Sequence, residues 1–168
     1  MGQLGFSYIG FLFLLMLLIP NLFWIKRQSK GYLPQNEDKV LRIFERTGQL
    51  LVTCAALIFP DRNLRAWSPW TLWLVAAAAS MLLYECWWIR YFKSKRTLQD
   101  FYRTFFGIPV AGATLPVLAS FLLGVYGKVV CLILSAILLD VGHIGIHLQH
   151  RKSALHPLKE QNKKTSQQ

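Results

Sequence analysis

Five blocks of apolar residues alternate with short polar connections along this chain, at about 4–25, 40–59, 70–91, 105–126 and 129–149. A helix needs about 20 mostly apolar residues to cross a bilayer, and each block comes close to that length. The second block is mixed. Arg42, Glu45, Arg46, Thr47 and Gln49 fall in its first half, and only 50–59 is uniformly apolar. It crosses if its first turns lie at the interface with Arg42 and Glu45 paired at i,i+3. A re-entrant or surface-lying helix is the competing reading. The fourth block carries Gly107, Pro109, Gly112, Pro116 and Gly124. Each proline removes a backbone donor, so a kinked or locally broken helix is expected around Pro109, Gly112 and Pro116. Such breaks line binding sites in transporters, and they also serve as ordinary packing kinks. The pattern predicts an all-α fold: an integral membrane bundle of five transmembrane helices forming one domain over residues 1–150.

The connections fit this layout. Met1-Gly2-Gln3 lacks the basic start of a secretory signal and no small-residue cleavage pattern follows, so the first helix is expected to be retained. Gly31, Pro34 and Asn36 mark a loop, 60–63 a short turn, and Gly127-Lys128 a tight turn that folds the last two helices into an antiparallel hairpin. Trp67, Trp70 and Trp73 are expected to form one interfacial aromatic belt, and Trp87, Trp88, Tyr91 and Phe92 the opposite one. Ala76 and Ser80 have the small-xxx-small spacing that brings helix backbones together. The stretch 97–104 returns along the basic face as a possible interfacial start to the fourth helix. Residues 151–168 carry too little apolar surface to fold alone and are expected to be a disordered, basic cytoplasmic tail.

Composition changes the picture in one respect. A hydrophobic content of 54% with a mean hydropathy of +0.34 belongs to a membrane protein, yet the formal net charge is +11. The placement of that charge explains it. Of the 19 Lys and Arg residues, all but Arg62, Arg65 and Lys128 fall in connections on one side of the alternating layout. Positive-inside orientation then puts the N-terminus out and the C-terminus in, across the plasma membrane. No recognition motif accompanies the charge, which excludes nucleic acid as a partner. The implied partners are the lipid bilayer, its anionic headgroups, and a further membrane protein or a second copy of this chain. Cys54, Cys86 and Cys131 lack disulfide or CxxC spacing and read as small packing residues.

Candidate chemistry gathers in the last block. Asp140, His143, His147 and His150 recur at intervals of 3, 4 and 3, which places them on one helical stripe. Glu45 with Arg46 on the second helix and Glu85 on the third lie at comparable depth. Ionisable groups inside a bilayer face a partner or a water-filled cavity, so Glu45, Arg46, Glu85, Asp140, His143 and His147 are expected to form a polar pocket near the cytoplasmic face. Asp140, His143 and His147 could hold a divalent metal ion. The same groups could instead pass protons, or only tie helices together. Nucleophile-elbow, phosphate-loop and HExxH signatures are absent, and four histidines are too few for the boxes of membrane desaturases. Two function classes follow: a non-enzymatic permeation, transport or partner-binding subunit, and a membrane-embedded enzyme, with or without a metal, acting on a lipid or other amphipathic substrate.

Overall fold

The computed structural model describes residues 4–27 and 37–165, with side chains to 154. The loop signals Gly31, Pro34 and Asn36 therefore lie outside the described residues. Among those described the fold is all-helical: α1 (Tyr8–Ile25), α2 (Lys39–Ile58), α3 (Leu72–Lys93), a short α4 (Leu98–Tyr102), α5 (Ala111–Gly127) and α6 (Val130–Thr165). Single 3₁₀ turns at Pro60–Arg62 and Pro69–Thr71 join α2 to α3. Three helical segments are long and apolar enough to cross a membrane: Tyr8–Ile25, Pro69–Lys93 and Val130–Ala154. α2 carries too many charged residues in its first turns to join them, and the apolar α5 is shorter.

The helices run alternately up and down. α2 and α6 lie side by side and antiparallel, because Glu37 meets His150, Glu45 meets His143 and Gly48 meets Leu139. Two glycines permit that closeness. A Cβ on Gly48 would lie 2.6 Å from Leu139 Cα, and one on Gly142 would lie 2.8 Å from Glu45 Cα. α5 and α6 form the expected hairpin around Lys128, whose left-handed φ of 55° turns the chain and caps α5 through its N–H to the carbonyls of Gly124 and Val125. α3 packs against α5, with the Trp87 indole laid over Gly112.

The end of the bundle where the α2–α3 connection meets the start of α1 is tied by polar side chains. Ser7 caps α1 by accepting from the Gly10 N–H, and the Asn63 side chain accepts from the Tyr8 N–H while donating to the Phe6 carbonyl. The Gly5 and Ser7 N–H groups bond the last carbonyls of α2, those of Ile58 and Leu57. Arg62 is wholly buried, lies against the Phe59 ring and donates to the Ala55 carbonyl at the end of α2. Burial pushes its guanidinium pKa down to about 10, against the opposing pull of Asp61. The Trp70 indole donates to the Tyr126 carbonyl and lies under Lys128.

Several expectations are corrected. Pro109 precedes α5 instead of kinking it. Phe105–Ile108 forms a tight two-residue turn with φ of 48° at Phe106 and 78° at Gly107, and α5 begins after it and runs unbroken through Pro116. The 97–104 stretch makes a separate helix, α4, closed by a capping box between Thr97 and Asp100. Trp87, Trp88 and Tyr91 are buried with Phe101 and Tyr102 in an aromatic core, not arrayed as an exposed belt. Of the Ala76–Ser80 pair, Ser80 is buried alongside Ala77, while Ala76 is exposed and accepts from the Ser80 hydroxyl. All three cysteines are free and exposed, so none packs the core. α6 itself continues to Thr165, into the stretch expected to form the basic tail. Its Lys, Glu, Gln and Leu residues favour propagation of a helix already nucleated, while Pro157 is a position that cannot donate to the preceding turn. Arg151 anchors that extension by donating to the Tyr102 carbonyl and Thr104 hydroxyl.

Candidate functional site: a cavity closed by a carboxylate–imidazole pair

A cavity of about 330 Å³ opens between α1, α2, α3, α5 and α6. Its walls are mostly apolar: Phe13, Leu17, Val52, Met81, Val117 and Leu123. Pro116 and Gly112 line it from α5, so two of the three residues expected to break that helix reach the site and Pro109 does not. α1 forms its loosest wall, being half-exposed or exposed along most of its length. A polar tether holds α1 in place: the Asn21 side-chain amide donates to the Leu17 carbonyl and to the Tyr84 hydroxyl, the latter at 2.8 Å.

The end beside the basic connections carries the ionisable groups. The close α2–α6 crossing, allowed by Gly48 and Gly142, brings His143 Nδ1 within 2.6 Å of Glu45 Oε1. A carboxylate accepts, so Nδ1 donates the proton of this bond. His147, one turn on, faces the same cavity with its ring centroid 4.6 Å from that of His143. It stacks on Phe101 at 6.1 Å and makes no hydrogen bond among the described residues. Phe101 closes this end of the cavity from α4, and α4 is itself held by Arg90, which donates to the Asp100 carbonyl. Further out on the α2–α6 seam, Glu37 lies 3.4 Å from His150 Nε2 and 4.0 Å from Arg42. Arg42 therefore pairs with Glu37 and not with Glu45.

Of the six expected pocket residues the structure assembles three: Glu45, His143 and His147. Arg46 points off α2 into an exposed position. Asp140 is exposed and does not line the cavity, because the inward stripe of α6 runs through Leu132, Leu139, His143 and His147. Glu85 is half-buried on α3 with Oε1 lacking a hydrogen-bond partner, and the cavity wall there is made by Tyr84, Trp87 and Trp88. The expected metal set of Asp140, His143 and His147 is not formed. Among the described residues no three His, Cys, Asp or Glu side chains converge closely enough to hold a metal ion.

Asn21 and Tyr84 escape a reading that ranks residues by charge, although an amide inside a membrane-length helix is a usable signal. Gly48 and Gly142 escape it because their role is to let another residue approach. No protein family, curated protein or solved structure matches this chain.

Proposed function

We propose that the chain crosses the plasma membrane five times, N-terminus outside and C-terminus inside, and is a non-enzymatic component that takes up an amphipathic molecule. The molecule's apolar part occupies the interhelical cavity and its polar head meets His143, His147 and Asn21 at the cytoplasmic side. Two observations support five crossings. α2 runs beside α6 from Glu37–His150 to Gly48–Leu139 and on outward, so it traverses the depth that α6 traverses. α5, at 17 residues, extends about 25 Å, and the turn at 105–110 completes its passage. The confinement of basic residues to one set of connections supports the orientation.

The observation that carries the uptake reading is an apolar cavity with a few convergent polar groups at one end, the general form of a small-molecule site. Such a protein serves as a permeation or transport component, or as a subunit presenting the molecule to a partner. The test is displacement of an environment-sensitive fluorescent fatty-acyl probe from purified protein. Ser120 lines the cavity and bonds only its own helix, donating to the Pro116 carbonyl. Ser120→Phe therefore fills the space without removing a tertiary bond. Saturable binding that Ser120→Phe abolishes supports the reading; unsaturable partitioning equal in both proteins defeats it.

The Glu45–His143 pair supports a second reading, a membrane-embedded enzyme acting on the same class of molecule. A carboxylate that fixes an imidazole tautomer is the arrangement of a general base. Under that reading, His143→Ala binds the molecule and no longer converts it.

A further inference from the structure

Asp140 and Arg46 have lost the role their spacing suggested, and what the structure shows in its place is specific. Both are exposed, and neither makes a hydrogen bond or ion pair among the described residues. They are also level with each other. Gly48 packs on Leu139 and Gly142 on Glu45, so the antiparallel register of α2 and α6 sets Arg46 opposite Val141. That is one residue from Asp140, or about 1.5 Å along the helix axis. The two nevertheless do not meet within one chain. The seam between the helices is filled by Leu41, Glu45, Gly48, Leu139 and Gly142, and the two charges project from other sides.

Exposed apolar side chains flank both, although Arg42, Gln49 and Thr53 also lie near Arg46 on α2. Ile43 and Leu50 flank Arg46 on the exposed surface of α2, and Ile137 and Val141 flank Asp140 on α6. Asp140 lies ten residues past the start of α6 at Val130, about 15 Å along the helix and so near the middle of a hydrocarbon core of about 30 Å. A lone carboxylate there faces lipid at considerable cost unless it meets a cation at the same depth.

Resting on the membrane reading above, we infer that this chain self-associates in the bilayer by placing Arg46 of one copy against Asp140 of another. A second copy is the occupant that the charge complementarity selects. Copies inserted with the same orientation hold every residue at a common depth, so the positive group of one is automatically level with the negative group of the next. An unrelated partner would need a cation for Asp140 and an anion for Arg46 at that level.

The experiment measures association of the full-length protein in proteoliposomes by energy transfer between donor- and acceptor-labelled copies across a range of protein-to-lipid ratios. Arg46→Asp and Asp140→Arg are each expected to weaken association at least about tenfold, and the double reversal to restore it. Arg46→Gln and Asp140→Asn, which insert without a reversed charge, form a second cycle. There the two neutralisations together are expected to cost no more than either alone. A monomeric wild type, single variants that associate normally, or a double reversal as weak as the singles would each overturn the pairing. Alkaline carbonate extraction separates the two levels of failure: a chain that washes out of membranes defeats the membrane reading itself, whereas an integral but monomeric chain defeats only the pairing.

Discussion

Replacing Gly142 with alanine tests whether backbone contact between α2 and α6 sets the geometry of the site. A Cβ there would lie 2.6 Å from the Leu41 carbonyl oxygen and 2.8 Å from Glu45 Cα, both on the backbone of α2. The Glu45 nitrogen lies closer still, so reaching ordinary contact at 3.4 Å requires the helices to part by at least about 0.8 Å. If that separation passes to the side chains, the 2.6 Å bond between His143 and Glu45 opens to about 3.4 Å or more, outside effective hydrogen-bond range. Overpacking costs about 1–3 kcal/mol, and losing a hydrogen bond to a charged group about 1.5–3 kcal/mol. Alanine returns about 1 kcal/mol through helix propensity, leaving a net loss of about 1.5–5 kcal/mol, centred on about 3. For a chain of this length a loss of about 3 kcal/mol is a fall of roughly 6–12 °C in melting temperature, read from intrinsic tryptophan fluorescence in detergent. Gly145→Ala is the matched control. Its Cβ would meet only the Leu41 side-chain ends, at 3.1 and 3.2 Å, so the propensity gain prevails and the variant melts at or above wild type. Equal melting of the two variants, or a Gly142→Ala protein as stable as wild type, would refute the reasoning.

Arg62→Ala leaves a cavity at the α2–α3 connection and removes the side-chain donor to the Ala55 carbonyl, for an expected loss of about 2–4 kcal/mol. Arg65→Ala removes an exposed pair with Asp61 and is expected to cost under about 1 kcal/mol, so thermal melting should separate the two clearly. Gly107→Ala meets no atom within 4 Å but keeps a φ of 78°; strain alone should cost about 1 kcal/mol, and a variant as stable as wild type would contradict the turn. Asp100 caps α4 with its carboxyl held below the usual range. Partial burial pulls the other way and is outweighed by hydrogen bonds from the Thr97 hydroxyl and N–H, with Ser94 and Arg103 adding. A depressed folded-state value stabilises above the unfolded pKa and is lost as pH falls through the folded one. The stability gap between wild type and Asp100→Ala, about 1 kcal/mol at pH 6, should therefore close below about pH 4.

Apolar length and the 3.6-residue period were enough to read the all-helical architecture, the α5–α6 hairpin and the gathering of histidines on α6. Three things escaped. A helical stripe is about 100° wide, and which part of it faces inward is decided by the neighbouring helices. His143 and His147 turn to the cavity while Asp140, on the same stripe, turns out. Interhelical partners are a tertiary property: the i,i+3 rule offered Arg42 to Glu45, and the α2–α6 crossing gave Glu45 to His143 instead. Prolines mark where a helix is costly without saying whether it bends or starts there. Pro109 stands before α5 and Pro116 within it. Trp87 and Trp88 show the same limit, since their spacing fits an interfacial belt or a buried aromatic cluster equally well.

The central claim, an interhelical cavity that holds an amphipathic molecule with its head at the Glu45–His143 pair, is tested most directly by photolabelling. A fatty-acyl probe carrying a diazirine near its tail is irradiated in proteoliposomes, and the modified residues are mapped by peptide mass spectrometry. Label is predicted on the cavity-facing Leu17, Val52 and Val117, competed by unlabelled amphiphile and absent in Ser120→Phe. Label confined to outward residues such as Leu82 and Ile137, with no competition and no effect of Ser120→Phe, would contradict it.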